Sequence, residues 1–226
     1  MKTLIYGAGS IGNHLANASR YLGHQVHICD IDENALKRTV EDIYPARYGA
    51  WDNSIKVCRN EELQENKFDL VFVGTPPDFH MKMAIEALRF NPKAIVIEKP
   101  LTVPNCQELE NFLSLASRHN VKAFVGYDHA VSKSIYKVRE LLKNDAIGEI
   151  LTLDVEFREH WGGIFAAHPW LAGPQDTYLG FWRRGGGATG EHSHALHLYL
   201  TILHFLDDSL LDISSVLKFE NNGKTD

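Results

Sequence analysis

The 226-residue sequence contains little cysteine and no long apolar run. Its three cysteines, Cys29, Cys58 and Cys106, are odd in number and lack CxxC spacing, so they indicate neither a disulfide framework nor a zinc site. They favour a reducing compartment. No segment approaches the roughly 18 apolar residues of a membrane span, and the apolar stretch before Gly7 is too short for the core of a signal peptide. We therefore expect a soluble, cytoplasmic protein without a membrane partner.

Clustered positive charge is also lacking. The net charge is -6, and no cluster of lysine and arginine offers the basic groove that a nucleic acid requires. The sequence has no internal repeat or low-complexity segment. Its apolar content of 44% excludes general disorder, and its length allows one large or two modest cores. These features indicate an ordinary globular protein, in which two domains are plausible but not required.

A glycine-rich turn near the start is the most informative pattern. The strand-like run Lys2–Tyr6 leads into it, and a helical pattern follows. Gly7 would permit the tight turn, Gly9 would let the backbone approach a pyrophosphate, and Gly12 would let the helix pack closely with its first amides facing the anion. We therefore predict a dinucleotide site here. The predicted contacts are Gly7, Gly9, Ser10, Ile11 and Gly12.

An acidic residue after the second strand-like run predicts the choice of cofactor. Asp30 lies eighteen residues beyond Gly12, where a carboxylate accepts hydrogen bonds from the adenosine ribose and repels a 2′-phosphate. NAD is therefore favoured over NADP. Asp32 is an alternative if the strand ends later than expected.

Short apolar runs alternate with helical patterns through the first half of the chain. The expected strands are Thr3–Tyr6, Gln25–Cys29, Leu70–Val73, Ala94–Ile97 and Ala123–Val125. The expected helices are Ile11–Leu22, Glu33–Ile43, His80–Phe90 and Pro104–His119. This alternation predicts an α/β doubly wound parallel sheet over residues 1–125, with ligands at the carboxyl ends of its strands.

Beyond residue 125 the pattern changes. The expected elements are a helix over Ser132–Asn144, a strand over Glu149–Arg158, a helix over Thr189–Leu206 and a strand over Ile213–Glu220. We expect residues 126–226 to form an incomplete α+β domain with a mixed or antiparallel open sheet.

Two predicted strand ends carry residues suited to a cofactor site. A proline-stiffened Gly-Thr-Pro-Pro segment follows one strand, and it suits packing against a flat ring or serves only as a turn and helix start. The next strand ends in Glu-Lys-Pro, where a lysine can hold a substrate oxygen or form a surface ion pair. The predicted cofactor contacts here are Thr75, Pro76, His80, Glu98 and Lys99.

The order of these motifs resembles the glucose-fructose oxidoreductase, inositol dehydrogenase and rhizopine-catabolism (Gfo/Idh/MocA) family. The matching pieces are GAGSIG, Asp30, GTPPDFH, EKP, GYDHAVSKSIYKVRELLKNDAIGEI and GGGATGEHSHALHLYL. The resemblance implies an N-terminal Rossmann domain and an NAD(P)-dependent oxidoreductase that acts on a CH-OH group of a sugar, polyol or related substrate. It also implies that Lys99 contributes to catalysis, that a cis peptide bond precedes Pro100, and that the Thr75-Pro76 loop lies near the nicotinamide.

The family places its acid/base histidine after a Gly-Gly-Gly turn, usually with an aspartate four residues ahead. Here Glu191 precedes His194 by three, which resembles a family branch with Glu-x-Ser-His. In one continuous helix, residues three apart share a face, so Glu191 and His194 can cooperate while His192 points elsewhere. We predict Lys99, His194 and Glu191 as the catalytic set, with His192 as an alternative acid/base.

The same histidine-rich segment raises a metal hypothesis, since glutamate and histidine at helical spacing can ligate zinc. It lacks HExxH spacing, and we expect no metal. His197 and His204 are expected to be solvated surface residues.

The stretch from Phe157 to Arg184 is rich in aromatic and basic residues. Aromatic faces stack on sugar rings and arginine binds carboxylate or phosphate, although large aromatics can also anchor a long loop. The predicted substrate contacts are Lys99, Tyr127, Trp161, Arg183, Arg184 and His194.

Family members usually continue well beyond this length and complete a sheet that often forms a dimer interface. We therefore expect a homo-oligomer if the second domain is complete, and a fragment, a truncated product or a divergent short form otherwise. The alternative function is a non-catalytic dinucleotide-binding protein or a degenerate family copy. Asp128 and His129 stand where many relatives carry other residues, which leaves the substrate contacts there open.

Overall fold

The computed structural model describes residues 1–63 and 67–216, which form two compact units. The N-terminal unit is Met1–Gly126, and the C-terminal unit begins at Tyr127. None of the described helices is long and apolar enough to cross a membrane.

The N-terminal unit is built on a six-stranded parallel sheet. The strands are β1 Lys2–Tyr6, β2 Gln25–Asp30, β3 Lys56–Arg59, β4 Leu70–Val73, β5 Ala94–Ile97 and β6 Lys122–Val125. Their order is β3-β2-β1-β4-β5-β6. The order reverses between β1 and β4, which is where doubly wound sheets bind their ligands. The predicted α/β doubly wound sheet is confirmed.

Helices cover both faces of this sheet. They are α1 Ser10–Tyr21, α2 Glu33–Arg38, α3 Tyr44–Tyr48, α4 His80–Ala87 and α5 Glu108–Arg118. Side chains alternate along each strand, so Leu4 and Tyr6 pack with α4 and α5 while Ile5 packs with α1, α2 and α3. The apolar strands are buried from both sides, as parallel strands require.

Two features of this unit differ from the prediction. The single helix expected over Glu33–Ile43 is α2 followed by a π-helical turn, Thr39–Ile43, that runs into α3. Strand β3 was not predicted, because this edge strand has the sequence Lys-Val-Cys-Arg and exposes half of it. An edge strand needs apolar residues on less of its surface, so its hydrophobic signal is weak.

The described part of the C-terminal unit contains helices and no strand. The helices are α6 Lys133–Lys143, α7 Gly162–Ala166, α8 Gly187–Glu191 and α9 Ser193–Phe205. The strand predicted over Glu149–Arg158 is wrong for this structure, since a strand needs a hydrogen-bonded neighbour and no described segment of the unit supplies one. Residues 213–216 of the last predicted strand are also irregular, and residues 217–220 lie outside the described residues.

The helix predicted over Thr189–Leu206 is interrupted at His192. This residue ends α8 with φ -93° and ψ 20°, and α9 begins at Ser193. The Ser193 hydroxyl donates to the carbonyl oxygen of Gly190 at 2.9 Å, so a side chain competes for a backbone group at the break. Glu191 and His194 therefore belong to different helices, and the predicted shared helical face is not formed.

Candidate active site

The three glycines of the first turn meet three different steric demands. Gly7 has φ +105°, and a Cβ there would lie 2.5 Å from the carbonyl oxygen of Gly74. A Cβ on Gly12 would lie 2.0 Å from the carbonyl oxygen of Gly7, so a side chain would push α1 away from the turn. A Cβ on Gly9 would meet nothing within 4 Å. The backbone at Gly9 is thus open to a ligand, while packing leaves no room for a side chain at Gly7 or Gly12.

Two buried polar side chains hold this turn from behind. Thr39 donates its hydroxyl to the carbonyl oxygen of Ala8 at 2.5 Å, and the amide of Asn13 donates to the carbonyl oxygen of Gly9 at 2.8 Å. Asn13 also donates to Thr39 at 3.2 Å, and both side chains are fully buried. The carbonyl groups of the turn are therefore drawn inward. The π-helical turn that begins at Thr39 places this hydroxyl, and the sequence carried no signal for it.

The start of α1 leaves its amides available to an anion. Gly9 caps the helix without a side-chain hydrogen bond, so the first amides have no side-chain acceptor. Ser10 is held from α3, because Arg47 donates to its carbonyl oxygen at 2.9 Å and to its hydroxyl at 2.7 Å. The exposed side chain of Ile11 lies over Gly74, where a Cβ would meet it at 3.1 Å. The helix terminus, a fixed cation and an apolar wall thus surround the open glycine.

The structure ends β2 at Asp30 and so distinguishes the two candidate ribose-binding carboxylates. Asp30 accepts hydrogen bonds from the N–H groups of Ala8 at 2.8 Å and Asp32 at 2.9 Å. Asp32 instead caps α2 through the N–H of Asn34 at 2.9 Å and pairs with Arg38 at 3.6 Å. A carboxylate has about four acceptor positions, so Asp30 retains capacity for two ribose hydroxyls.

His80 lies inside the core of the N-terminal unit. Its ring is fully buried, with Nε2 2.7 Å from the carbonyl oxygen of Thr75 and Nδ1 2.9 Å from that of Pro100. Burial is the largest influence and lowers the pKa of His80, while the hydrogen bonds to the backbone carbonyls act in the opposite direction. The ring thus connects the loop after β4 to the loop after β5, and both of its nitrogens lie within hydrogen-bond distance of backbone carbonyls. Pro76, at the surface of the first loop, is exposed.

The loop after β5 contains the predicted Glu-Lys-Pro set. The Lys99–Pro100 bond is cis, as the resemblance implies. The carboxylate of Glu98 packs over Gly126, where a Cβ would lie 2.8 Å from Glu98 Oε1, and its Oε2 accepts from the N–H of Lys99 at 3.3 Å. Glu98 is therefore fixed against the end of β6, which in turn fixes the backbone of Lys99.

In the C-terminal unit, His194 lies within a cluster of aromatic rings and one carboxylate. Its side chain is 13% exposed, and its Nδ1 lies 3.9 Å from Asp128 Oδ1. The ring centroid of His194 is 4.5 Å from that of His129, 5.7 Å from that of Tyr127 and 5.8 Å from that of Phe157. Asp128, His129 and Phe157 were not among the predicted site residues, because the segment before α6 contacts α9 only through the tertiary fold.

The other acidic and histidine side chains of this segment have different neighbours. Glu191 accepts a hydrogen bond from the hydroxyl of Tyr178 at 3.4 Å, and His192 Nδ1 lies 3.7 Å from Glu159. His197 is half-buried and stacks on Tyr127 with ring centroids 4.0 Å apart, so the expectation of a solvated residue is wrong for it. Burial lowers the pKa of His197. His204 is exposed as expected.

A cavity of about 330 Å³ opens beside His194. Its walls include His129, Ser132, Ile135, Phe157, His194 and Leu198. Of the predicted substrate contacts in this unit, only His194 lines it. Arg183 stacks over Trp182 at 4.4 Å, Arg184 lies 5.9 Å from the ring of Phe181, and Trp161 lies 6.4 Å from the ring of His192. The contacts of Arg183 and Arg184 lie within the loop, and that of Trp161 connects the loop to the break between α8 and α9.

Asp128, His129 and His194 also have the chemistry of a metal site. Their ligand atoms lie within 4.8 Å of one another, and a carboxylate with two imidazoles could hold a divalent cation. Two of the three residues are exposed, and such sets are common on protein surfaces without a metal.

Comparison with known proteins shows which family the chain belongs to. The model of the oxidoreductase family with an NAD-binding Rossmann fold, Gfo/Idh/MocA, matches residues 1–127. The chain belongs to this family. The strand order, the three glycines and the residue at the end of β2 agree with a Gfo/Idh/MocA cofactor domain.

Individual relatives match less closely. Oxidoreductase P35 of Formosa agariphila is 26% identical over 97 residues, which are 43% of this chain and 30% of that protein. Myo-inositol 2-dehydrogenase from Lactobacillus plantarum has a similar fold, with a TM-score of 0.68 and 20% identity over 91% of this chain and 56% of that one. WlbA dehydrogenase from Bordetella pertussis, in complex with NADH and UDP-GlcNAcA, gives a TM-score of 0.65 and 20% identity over 92% and 58%. The chain therefore spans little more than half the length of these solved relatives.

The cofactor of the Gfo/Idh/MocA family, NAD, fits the residues present in the N-terminal unit. The open face of Gly9 and the uncapped start of α1 suit a pyrophosphate, and Asp30 suits a ribose. The Thr75 hydroxyl is shielded from solvent and, among the described residues, has no hydrogen-bond partner, which suits a ligand at the loop after β4.

Proposed function

We propose that this protein is an NAD-dependent oxidoreductase that transfers a hydride between nicotinamide and a hydroxyl-bearing carbon of a sugar, polyol or related substrate. The observation that carries the proposal is the glycine turn, in which packing requires glycine at Gly7 and Gly12 and leaves Gly9 open. Family membership supports an oxidoreductase. The substrate class extends to this chain what the names of its relatives say of an inositol and a sugar nucleotide.

Residues 1–125 are proposed as the cofactor domain, and residues 126–226 as part of a substrate-binding and oligomerisation domain. NAD supplies the carbon that accepts or donates the hydride. Asp30 would bind the adenosine ribose, and the Thr75-Pro76 loop would lie against the nicotinamide. His80 would hold that loop in place from inside the core.

His194 is proposed as the acid/base, because an imidazole can take and return a proton near neutral pH. The Asp128 carboxylate, 3.9 Å away, would orient the ring and stabilise the imidazolium that forms. Glu191 would then hold the side chain of Tyr178 in position, because its carboxylate accepts a hydrogen bond from the Tyr178 hydroxyl. Lys99 would stabilise the negative charge that develops on the substrate oxygen.

The test is a screen of polyols, sugars, uronic acids and nucleotide sugars for reduction of NAD by the full chain. For any substrate found, we expect H194A and K99A to lower kcat by about 10²-fold or more while leaving the Kd for NAD within about threefold. The matched control is H204A, which removes an exposed histidine from the same helix as His194. Unchanged kcat in both H194A and K99A would contradict the assigned roles.

The second candidate is a non-catalytic dinucleotide-binding protein. It is favoured by the C-terminal unit, whose described residues contain no sheet. NAD binding, measured by calorimetry, distinguishes both candidate functions from that of a protein that binds no dinucleotide. NAD binding with no turnover across the whole screen would favour this second function, and no NAD binding would contradict both.

A further inference from the structure

Two of the three cysteines meet side by side in the sheet. Cys29 on β2 and Cys58 on β3 are partners in the register of the parallel pair, and their Sγ atoms are 2.9 Å apart. Neither cysteine is in a disulfide bond. Neighbouring strands lie about 4.8 Å apart, which is inside the roughly 4.4–6.8 Å range of Cα separations that a disulfide spans. Paired residues on neighbouring strands thus have a spacing that a disulfide bond can span.

Both side chains also point to the same face. Cys29 is fully buried in the cluster that contains Leu4 and Tyr6, and Cys58 packs against that cluster from the edge strand. Cys58 is half-buried, so a small reagent reaches it first. The pair thus has an accessible thiol backed by a buried thiol, the arrangement in which one cysteine reacts and the other resolves the product.

We propose that Cys29 and Cys58 form a reversible redox modification site that a peroxide converts to an intramolecular disulfide. The thiolate of Cys58 attacks the peroxide, so that an S–O bond forms, the O–O bond breaks, and the leaving oxygen takes up a proton. The sulfur of Cys29 then displaces the hydroxyl from the sulfenic acid of Cys58, and the thiol proton leaves with that oxygen as water. Two electrons pass from the two thiols to one peroxide.

The site adjoins the glycine turn. The carbonyl oxygen of Cys29 accepts a hydrogen bond from the N–H of Gly7 at 2.8 Å, and Asp30 is the next residue. The disulfide would link the edge strand β3 to the strand that carries Asp30. The proposal is independent of the proposed function, because it requires only the pairing of β2 with β3.

The experiment treats the full reduced chain with one equivalent of hydrogen peroxide, blocks the remaining thiols with iodoacetamide, and measures the intact mass and the peptide map. We expect the loss of two hydrogens, a crosslinked Cys29–Cys58 peptide pair, and one alkylated residue, Cys106. Dithiothreitol should restore three alkylated cysteines. A C106S variant should form the same crosslink and leave no thiol to alkylate.

A C58S variant should give no crosslink, with circular dichroism used to confirm that it folds. If it does not fold, the peptide map of the unmodified sequence and of C106S decides the matter alone. Retention of three alkylatable thiols after peroxide treatment, a crosslink that includes Cys106, or direct conversion of Cys58 to a sulfinic acid would each overturn the proposal.

Discussion

The carboxylate of Asp30 accepts a hydrogen bond from the N–H of Ala8 at 2.8 Å, which connects the end of β2 directly to the glycine turn. The residue proposed to select the cofactor is thus part of the structure that would bind its pyrophosphate. Asp32, two residues later, serves as the cap of α2. The two aspartates can therefore be separated by experiment.

The first prediction concerns cofactor selection by Asp30. D30N should reduce the preference for NAD over NADP about tenfold or more, equivalent to ~1.4 kcal/mol, because the negative charge that repels a 2′-phosphate is lost. Calorimetric Kd values for both cofactors provide the measurement. D32N is the control: asparagine caps a helix about as well as aspartate does, so both stability and selectivity should stay close to those of the unmodified chain. Equal selectivity in D30N and the unmodified chain would remove Asp30 from this role.

The second prediction separates the roles of two glycines. G12A should fold poorly, because its Cβ would lie 2.0 Å from a backbone oxygen that has no room to move. G9A should fold normally, since its Cβ meets nothing within 4 Å, but should weaken NAD binding about tenfold or more by filling the open face. Thermal denaturation and NAD titration measure the two effects. A G9A variant that binds NAD normally would contradict a pyrophosphate contact there.

The third prediction concerns the buried hydroxyl of Thr39. T39V keeps the shape of the side chain but leaves the carbonyl oxygen of Ala8 without its 2.5 Å hydrogen bond. We expect the free energy of unfolding to fall by about 1–3 kcal/mol, because the Ala8 oxygen keeps only the 3.4 Å hydrogen bond from Asn13, and we also expect weaker NAD binding. T189V, at an exposed position, is the matched control. Urea denaturation gives the stability, and equal values for both variants would argue against the hydrogen bond.

The fourth prediction concerns stability at low pH. Burial lowers the pKa of His80 below its ordinary value of 6.5. As the pH falls, this histidine therefore binds a proton more readily in the unfolded chain than in the folded chain. Stability should be complete above about pH 6.5 and fall as the pH drops below it. His14 and His197, whose pKa values are also lowered by burial, act with the same sign. The pKa values of Asp52 and Asp69 are held low by hydrogen bonds to Arg20 and to the N–H of Lys2, so these carboxylates stay ionised in this window.

Melting temperatures at about pH 7.5 and pH 5.5 measure this effect, since the interval covers the titration of an ordinary histidine. The difference should be smaller in H80Q than in the unmodified chain, because part of the proton uptake on unfolding is removed. H119Q replaces an exposed histidine and should retain the full difference. The same pH dependence in H80Q and H119Q would show that His80 does not contribute.

The fifth prediction concerns metal ions. Hydride transfer to NAD needs no metal, so extensive treatment with EDTA should leave turnover of an identified substrate unchanged. The Asp128, His129 and His194 set makes the test worthwhile, since its ligand atoms lie within 4.8 Å of one another. Loss of turnover that Zn²⁺ restores would show instead that this set holds a metal.

Much of the N-terminal unit could be predicted from the sequence because its signals are local. Five of the six strands were marked by short apolar runs, and the glycine spacing located the turn. The edge strand β3 could not be predicted from the sequence because its residues are partly polar. The sequence puts His80 at the start of the helix after β4, but periodicity does not show that both of its ring nitrogens meet backbone carbonyls.

The sequence by itself determined the parallel sheet, the order of its elements and the glycine turn, because each depends on residues close together in the chain. Only the tertiary structure decided which distant side chains meet. It placed Asp128 beside His194, Thr39 behind Ala8 and Cys58 against Cys29. The physical reason is that these contacts depend on strand register and on where helices begin and break, which are set by packing and backbone hydrogen bonding across the whole unit.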